Sequence, residues 1–283
     1  MTQSAQAGVP QEGGFFGHPR GLATLFFTEM WERFSYYGMR GILILFMVDA
    51  IETGGLGLTV GRAASIYGLY TAAAYLTALP GGWFADRIIG ARNAVFYGGA
   101  MIAAGQITLA LSATTQTGFY LGLLLVVTGT GLLKPNVSAI VGDLYPDGGA
   151  RRDAGFSVFY MGINIGAFIG PLLCGFLGEN IAWSYAFWAA GLGMIAGLIQ
   201  YKVGAGLGNL GGKPTLSAED RASTNKTLGI TIAVIAGVSA ILYWLNASGI
   251  FTLSLEQVVT ATGVLIFGLV VAYFAIALLF GGF

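Results

Sequence analysis

Apolar runs of roughly 20 residues recur along the chain, each long enough to cross a hydrocarbon core of ~30 Å as a helix. Eight can be drawn: Gly21 to Val48, Ala63 to Ala85, Ala94 to Ser112, Phe119 to Val141, Phe156 to Leu177, Trp183 to Tyr201, Leu228 to Asn246 and Val258 to Phe280. In lipid every backbone donor and acceptor must be satisfied within its own segment, and these runs are too long for barrel strands. The expectation is therefore an all-α polytopic membrane protein. Composition agrees, with 55% of residues hydrophobic and 9% charged, too little charge to clothe a water-soluble surface. Thirteen basic and thirteen acidic residues cancel, so no field of one sign exists to attract nucleic acid, which is not expected as a partner. The single cysteine, Cys174, lies in an apolar run. That rules out an intramolecular disulfide and a cysteine-rich zinc site, and it suits a small packing residue.

Basic residues set the orientation. Arg20, Arg87, Arg92, Arg151, Arg152, Lys202, Lys213, Arg221 and Lys226 fall on one side of the drawn spans, and among loop residues only Arg62 falls on the other. The tail, 1–20, is polar and Gly-rich without the apolar core and cleavage site of a signal peptide, and reads as a disordered cytoplasmic lead-in. The longest connection, Val203 to Asn225, carries glycines, Lys213-Pro214 and the charged Glu219, Asp220 and Arg221, and reads as a linker. The expected organisation is a cytoplasmic tail (1–20), a six-helix bundle (21–202), a cytoplasmic linker (203–226) and a further helix pair (227–283). Pro80 in the second span and Gly170-Pro171 in the fifth hold corresponding places in two three-helix sets, a faint sign of nested repeats.

Ionisable side chains deep in a span cost ~2.5–3.5 kcal/mol each on insertion scales, so they persist only when paired or facing a watery cavity. Five stand out: Glu29, Glu32, Arg33 and Arg40 in the first span and Lys134 in the fourth. At about 100° per residue, Glu29, Arg33, Tyr36, Tyr37 and Arg40 share one face, with Glu32 at its edge. Glu29 and Arg33, spaced i to i+4, can neutralise one another and hold helices together. That pairing leaves a second carboxylate, a second arginine and two tyrosines unexplained, and a hydrated cavity accounts for all of them. Lys134 either snorkels toward headgroups or faces the same cavity. Asn164 offers an amide suited to a peptide or amino terminus, or to an interhelical hydrogen bond. Tyr75 is a packing residue or a member of the pocket. Asp86 and Arg87, in a glycine-bracketed loop joining the second and third spans, read as a gating latch or as an ordinary charged turn. The only histidine, His18, lies in the tail, which excludes an intramembrane histidine relay in this half. No helical His-Glu-x-x-His, activated nucleophile or metal cluster is present, so an enzyme is not expected.

Three motifs in order carry a family resemblance. Gly82 through Arg92 resembles the glycine, aspartate-arginine, glycine, arginine loop of the major facilitator superfamily. Glu29-Met30-Trp31-Glu32-Arg33-Phe34 is similar to the first-helix signature of its proton-dependent oligopeptide transporters, and Phe159 through Gly166 resembles their fifth-helix signature. The resemblance implies a six-helix N-terminal bundle of 3+3 inverted repeats, followed by the extra helix pair of bacterial members. It also implies a second six-helix bundle that is missing here, since the chain stops at Phe283 and looks truncated. The function it implies is proton-coupled symport of di- and tripeptides by alternating access in a bacterial inner membrane, with the N-terminus cytoplasmic. No cofactor is implied beyond the proton gradient, and the partners are peptides, protons and the lipid bilayer. It assigns Glu29, Glu32 and Arg33 to proton coupling, and Arg33, Tyr36, Tyr37, Arg40, Tyr75, Lys134 and Asn164 to the peptide pocket. The same superfamily fold also carries nitrate, sugars or drugs, and a non-transporting membrane binding scaffold stays open beside these.

Overall fold

The computed structural model describes residues 14–112, 115–204, 206–214 and 216–249, with seven scattered positions between 257 and 271. The tail before residue 14 lies outside the described residues, and the expected span Val258 to Phe280 lies largely outside them. Helices dominate what is described: α1 (Arg20–Val48), a 3-10 turn (Ile51–Thr53), α2 (Val60–Leu76), α3 (Ala78–Phe84), a π-helical turn (Ala85–Ile89), α4 (Ala91–Ser112), α5 (Gln116–Asp143), α6 (Gly149–Asn180), α7 (Trp183–Val203) and α8 (Ala218–Ala247). The last five of these helices are long and apolar enough to cross a membrane. With its 29 residues α1 has the length as well, and only its charges set it apart.

The chain divides into two compact units, Met1–Gly57 with Ala73–Thr215, and Leu58–Ala72 with Leu216–Phe283. In the first, α1 packs on α6 and α7, α4 packs on α5 and α7, and α3 packs on α5. Leu22, Leu25, Val95, Ile102, Leu133, Val137, Ile140, Phe159 and Met194 form a buried cluster. Toward the C-terminal end of α1, the ring of Phe46 meets those of Phe119, Trp183 and Phe187. In the second unit, Ile230, Ile232, Val234, Val238, Ile241, Tyr243 and Trp244 of α8 are exposed apolar side chains, as suits a lipid-facing helix.

Lipid tails are as apolar as leucine, so helices associate there by close packing, which small residues permit. On α6, Gly162, Gly166 and Gly170 recur every four residues and meet the α1 backbone at Phe26, Met30 and Phe34. Gly38 of α1 lies against Cys174 Sγ, which accounts for the small, buried thiol expected there. Gly98 and Gly129 make the same approach between α4 and α5.

Four local features differ from the sequence reading. The second span is divided at Thr77 rather than running unbroken from Ala63 to Ala85. Pro80 has no N–H for the Leu76 carbonyl, and at the break the Thr77 hydroxyl lies 2.8 Å from the Ala73 carbonyl and 3.2 Å from that of Val127 in α5. The stretch Gly81 to Arg92, read as a loop, is helical up to Ile89. Gly90, at φ +83°, closes it by donating to the Ala85 carbonyl at 2.8 Å. Much of the expected linker is also structured. Ser217 Oγ accepts from the Asp220 N–H at 3.0 Å and starts α8 at Ala218, an N-cap with acidic residues in the first turn. Before it, Leu207 is buried and the Gly211 carbonyl accepts from the Arg92 N–H at 2.7 Å, strapping this segment to the first unit. The tail, finally, is anchored at its end: His18 is buried with Nδ1 3.0 Å from the Tyr145 hydroxyl, and burial raises the Tyr145 phenol above its ordinary value.

Beyond α1, Asp49 accepts from the Trp183 indole N–H at 2.6 Å and from the Thr53 hydroxyl at 2.8 Å. These bonds, Trp183 foremost, hold its carboxyl below the usual carboxylate range. A depressed folded value gives stability that is full above the unfolded value and fades as pH falls through the folded one. The melting temperature in micelles is expected to drop on acidification below about pH 4, with a shallower drop in Trp183→Phe. In a separate test, Gly170→Leu puts a side chain against the Phe34 carbonyl and the Gly38 N–H. It is expected to cost at least ~1–3 kcal/mol by overpacking, read as a lower melting temperature of the purified protein.

Candidate functional site

The centre of the site is a single turn of α1. Arg33 Nε lies 2.6 Å from Glu29 Oε1 and 2.9 Å from Glu32 Oε2. Exposure is 2% for Glu29, 0% for Glu32 and 5% for Arg33. Nε carries one hydrogen, and it is given to Glu29, so Glu32 is held there by charge. Glu29 Oε2 and both Glu32 oxygens accept no hydrogen bond among the described residues. Two carboxylates thus share one guanidinium in a dry setting. Of the two readings of this helix, the trio realises the closed ion pair, with Glu32 added to it.

The other expected residues are arranged around this trio with more exposure. The Tyr36 ring is buried, its centroid 5.9 Å from Arg33 Cζ, and it meets Tyr37 edge-on. Tyr37 and Arg40 are half-buried, and Tyr36 is within electrostatic reach of Arg40 and Tyr75. Lys134 approaches from α5, where Pro135 interrupts the hydrogen-bond ladder. Its Nζ lies 4.3 Å over the exposed Tyr75 ring, a cation–π contact, and its charge reaches Glu32. The structure therefore brings Glu29, Glu32, Arg33, Tyr36, Tyr37, Arg40, Tyr75 and Lys134 into one neighbourhood. Asn164 is not among them. It is exposed, makes no hydrogen bond among the described residues, and lies on the side of α6 turned away from the glycine seam that meets α1. Asp86 and Arg87 are exposed on the π-helical turn and form no ion pair among the described residues.

Sequence reasoning missed a buried polar layer beside the trio. Gln106 of α4 is fully buried, with Nε2 3.4 Å from Ser35 Oγ and no partner for Oε1 among the described residues. Thr28 donates within α1 to the Thr24 carbonyl at 2.7 Å, and its hydroxyl lies 3.0 Å from Gln200 Oε1 of α7. A lone amide in an apolar run was the available signal for Gln106. Such an amide is affordable in a span only with a partner inside the bundle.

The described helices thus form an all-α bundle with glycine-seamed packing and a buried ion cluster in α1. Residues 92–209 match the family profile described as PTR2, POT family. The chain is 45% identical over 242 residues to YclF, an uncharacterized transporter of Bacillus subtilis (strain 168), covering 85% of this chain and 49% of that protein. It is 42% identical over 231 residues to a di-/tripeptide transporter of Lactococcus lactis subsp. lactis (strain IL1403), covering 80% and 46%. A crystal structure of a peptide transporter POT in complex with sulfate aligns with a TM-score of 0.84 at 44% identity, covering 95% of this chain and 54% of that one. The chain belongs to the POT family of the major facilitator superfamily. It spans about half the length of the curated relatives it matches.

Removing one partner from a buried ion cluster strands the others, whereas replacing all of them with apolar residues of similar volume is often neutral. Arg33→Ala is expected to destabilise the protein by ~3–5 kcal/mol. The triple replacement of Glu29, Glu32 and Arg33 by Met is expected to melt near wild type. Thermal unfolding in micelles checks both, and a triple variant as unstable as Arg33→Ala counts against a closed, dry trio.

Proposed function

We propose that this chain forms the N-terminal part of a secondary active transporter that carries di- and tripeptides with protons across a bacterial inner membrane by alternating access. The observation that carries the reading is the sharing of Arg33 by two buried carboxylates. A proton on Glu29 or Glu32 removes one of the two charges that hold the guanidinium. Arg33 is then released to meet a peptide carboxylate, whose planar oxygens suit its forked donors. Proton and peptide thus favour one another's binding. Arg40 and Lys134 add positive charge for the carboxylate end, while Tyr36, Tyr37, Tyr75 and Asn164 receive the backbone and amino end. Asp86 and Arg87 act as the gate at the cytoplasmic side.

In this reading the energy comes from the proton gradient, no cofactor takes part, and the protein is not an enzyme. The tail (1–20), the bundle (21–202), the linker (203–226) and the helix pair (227–283) are its parts, with the N-terminus cytoplasmic, as the distribution of basic residues favours. A second six-helix bundle, corresponding to the part of the relatives not spanned here, completes the pocket. The di-/tripeptide transporter among those relatives supports this choice of substrate over nitrate, sugars or drugs.

The complete protein in proteoliposomes is expected to take up dialanine when the outside is made acidic, and other dipeptides should compete where nitrate and sugars do not. Glu32→Gln is expected to lose the response to the pH gradient while still exchanging peptide across the membrane. Arg33→Ala should lose both activities. Peptide binding without flux in wild type would point to a binding scaffold, and pH-driven uptake unchanged in both variants would discard the scheme.

A further inference from the structure

Where the N-terminal end of α4 meets the C-terminal end of α7, a cavity of about 180 Å³ is lined by Arg92, Asn93, Phe96, Tyr97, Tyr201 and Lys202. Two of these residues are cations and none is a carboxylate. Arg92 is held in place from three directions. Its N–H donates to the Gly211 carbonyl at 2.7 Å, its guanidinium to the Gly208 carbonyl at 2.7 Å, and its own carbonyl accepts from the Tyr201 hydroxyl at 3.1 Å. Lys202 Nζ stands 5.0 Å over the Phe96 ring, a cation–π contact, and forms no ion pair among the described residues. Two positive charges are thus fixed beside one small opening, with hydrogen-bond donors to spare.

Size and depth narrow the occupant. Pockets that enclose drug-sized ligands measure ~300–1,000 Å³, so this cavity suits a single phosphate group better than a peptide or a nucleotide. Both helices are long and apolar enough to cross a membrane, as Ala91–Leu111 and Trp183–Val203. Arg92 and Lys202 stand at the ends of these spans, which is headgroup depth. On the same two helices Tyr97 and Ile199 are exposed, giving acyl chains a surface directly beyond the cations, with a tyrosine at the interface. We infer that the cavity binds the phosphate of an anionic phospholipid, with Arg92 and Lys202 as its cations. Basic pockets between transmembrane helices hold lipid headgroups in this way. Inorganic phosphate offers the same oxygens without the chains. This site is independent of what the protein transports.

The test is native mass spectrometry of the full chain, delipidated and then exposed to phosphatidylglycerol, phosphatidylcholine or inorganic phosphate. Phosphatidylglycerol is expected to be retained in preference to phosphatidylcholine, and Lys202→Gln to weaken its retention about fivefold. Lys202→Arg should keep it, and Arg92→Gln combined with Lys202→Gln should weaken it further. Because Arg92 also ties down the Gly208–Gly211 segment, the single Lys202 variant carries the decision, with gel filtration to confirm that it folds as wild type does. Equal retention of the two lipids, or phosphatidylglycerol retention unchanged in Lys202→Gln, overturns the inference. Inorganic phosphate that binds as tightly as phosphatidylglycerol overturns the lipid assignment in favour of the free ion.

Discussion

Arg33 held between Glu29 and Glu32 sets the terms for the first unit of this protein. Lipid cannot solvate such a cluster, so α1 has to be enclosed by other helices along the turn that carries it. Enclosure without a hydrophobic pull requires backbones to come close, and the glycines supply that. Gly162, Gly166 and Gly170 let α6 lie on α1, while Gly193 and Gly197 of α7 accept the rings of Phe34 and Trp31. The glycines that α6 and α7 turn toward α1 thus help to enclose its charges.

Much of this was legible in the chain itself, and the limits have physical causes. Apolar run length located the five spans of α4 to α8, because backbone satisfaction in lipid imposes it. The Glu29–Arg33 pair followed from i, i+4 spacing, but the contact to Glu32 depends on the rotamer of a long side chain, which spacing does not specify. Pro80 was visible, whereas the placement of the break at Thr77 depends on a hydroxyl that also reaches α5. Glu219 and Asp220 read as linker charges, whereas they lie in the first turn of α8 behind the Ser217 cap. The burial of His18 could not be foreseen, since Tyr145 lies 127 positions away. For Asn164, residue type suggested a pocket, and which face it occupies is decided by the small residues that pack: the glycines of α6 meet α1 and leave Asn164 on an exposed face.

The interior of α1 and the helix ends at Arg92 and Lys202 handle positive charge differently. Around α1, Arg33 is answered by two carboxylates and Lys134 by the Tyr75 ring. At the helix ends, Arg92 and Lys202 are answered by carbonyls and by the Phe96 ring, which position a cation without cancelling its charge. A neutralised charge can sit in a dry interior, whereas an uncancelled one has to stand where water or anionic headgroups supply the balance. The strap from Gly206 to Gly212 therefore fixes the guanidinium of Arg92 at the boundary of the unit.

Counting charge around the trio exposes the logic of the proposed cycle. Glu32 and the charges that act on it, Glu29, Arg33 and Lys134, sum to zero when all are ionised, a balance that a low-dielectric setting favours, and Arg40 adds a positive charge beside Tyr36. One proton on either glutamate leaves the set with an excess positive charge, and a peptide carboxylate restores neutrality. Departure of the peptide restores the excess, which loss of the proton then relieves. In that proposed cycle each ligand favours the other's binding. Among the described residues three of the four carboxylate oxygens accept no hydrogen bond, and in the proposed cycle that gives them something to gain from a proton, which carboxylates fully satisfied by donors would lack.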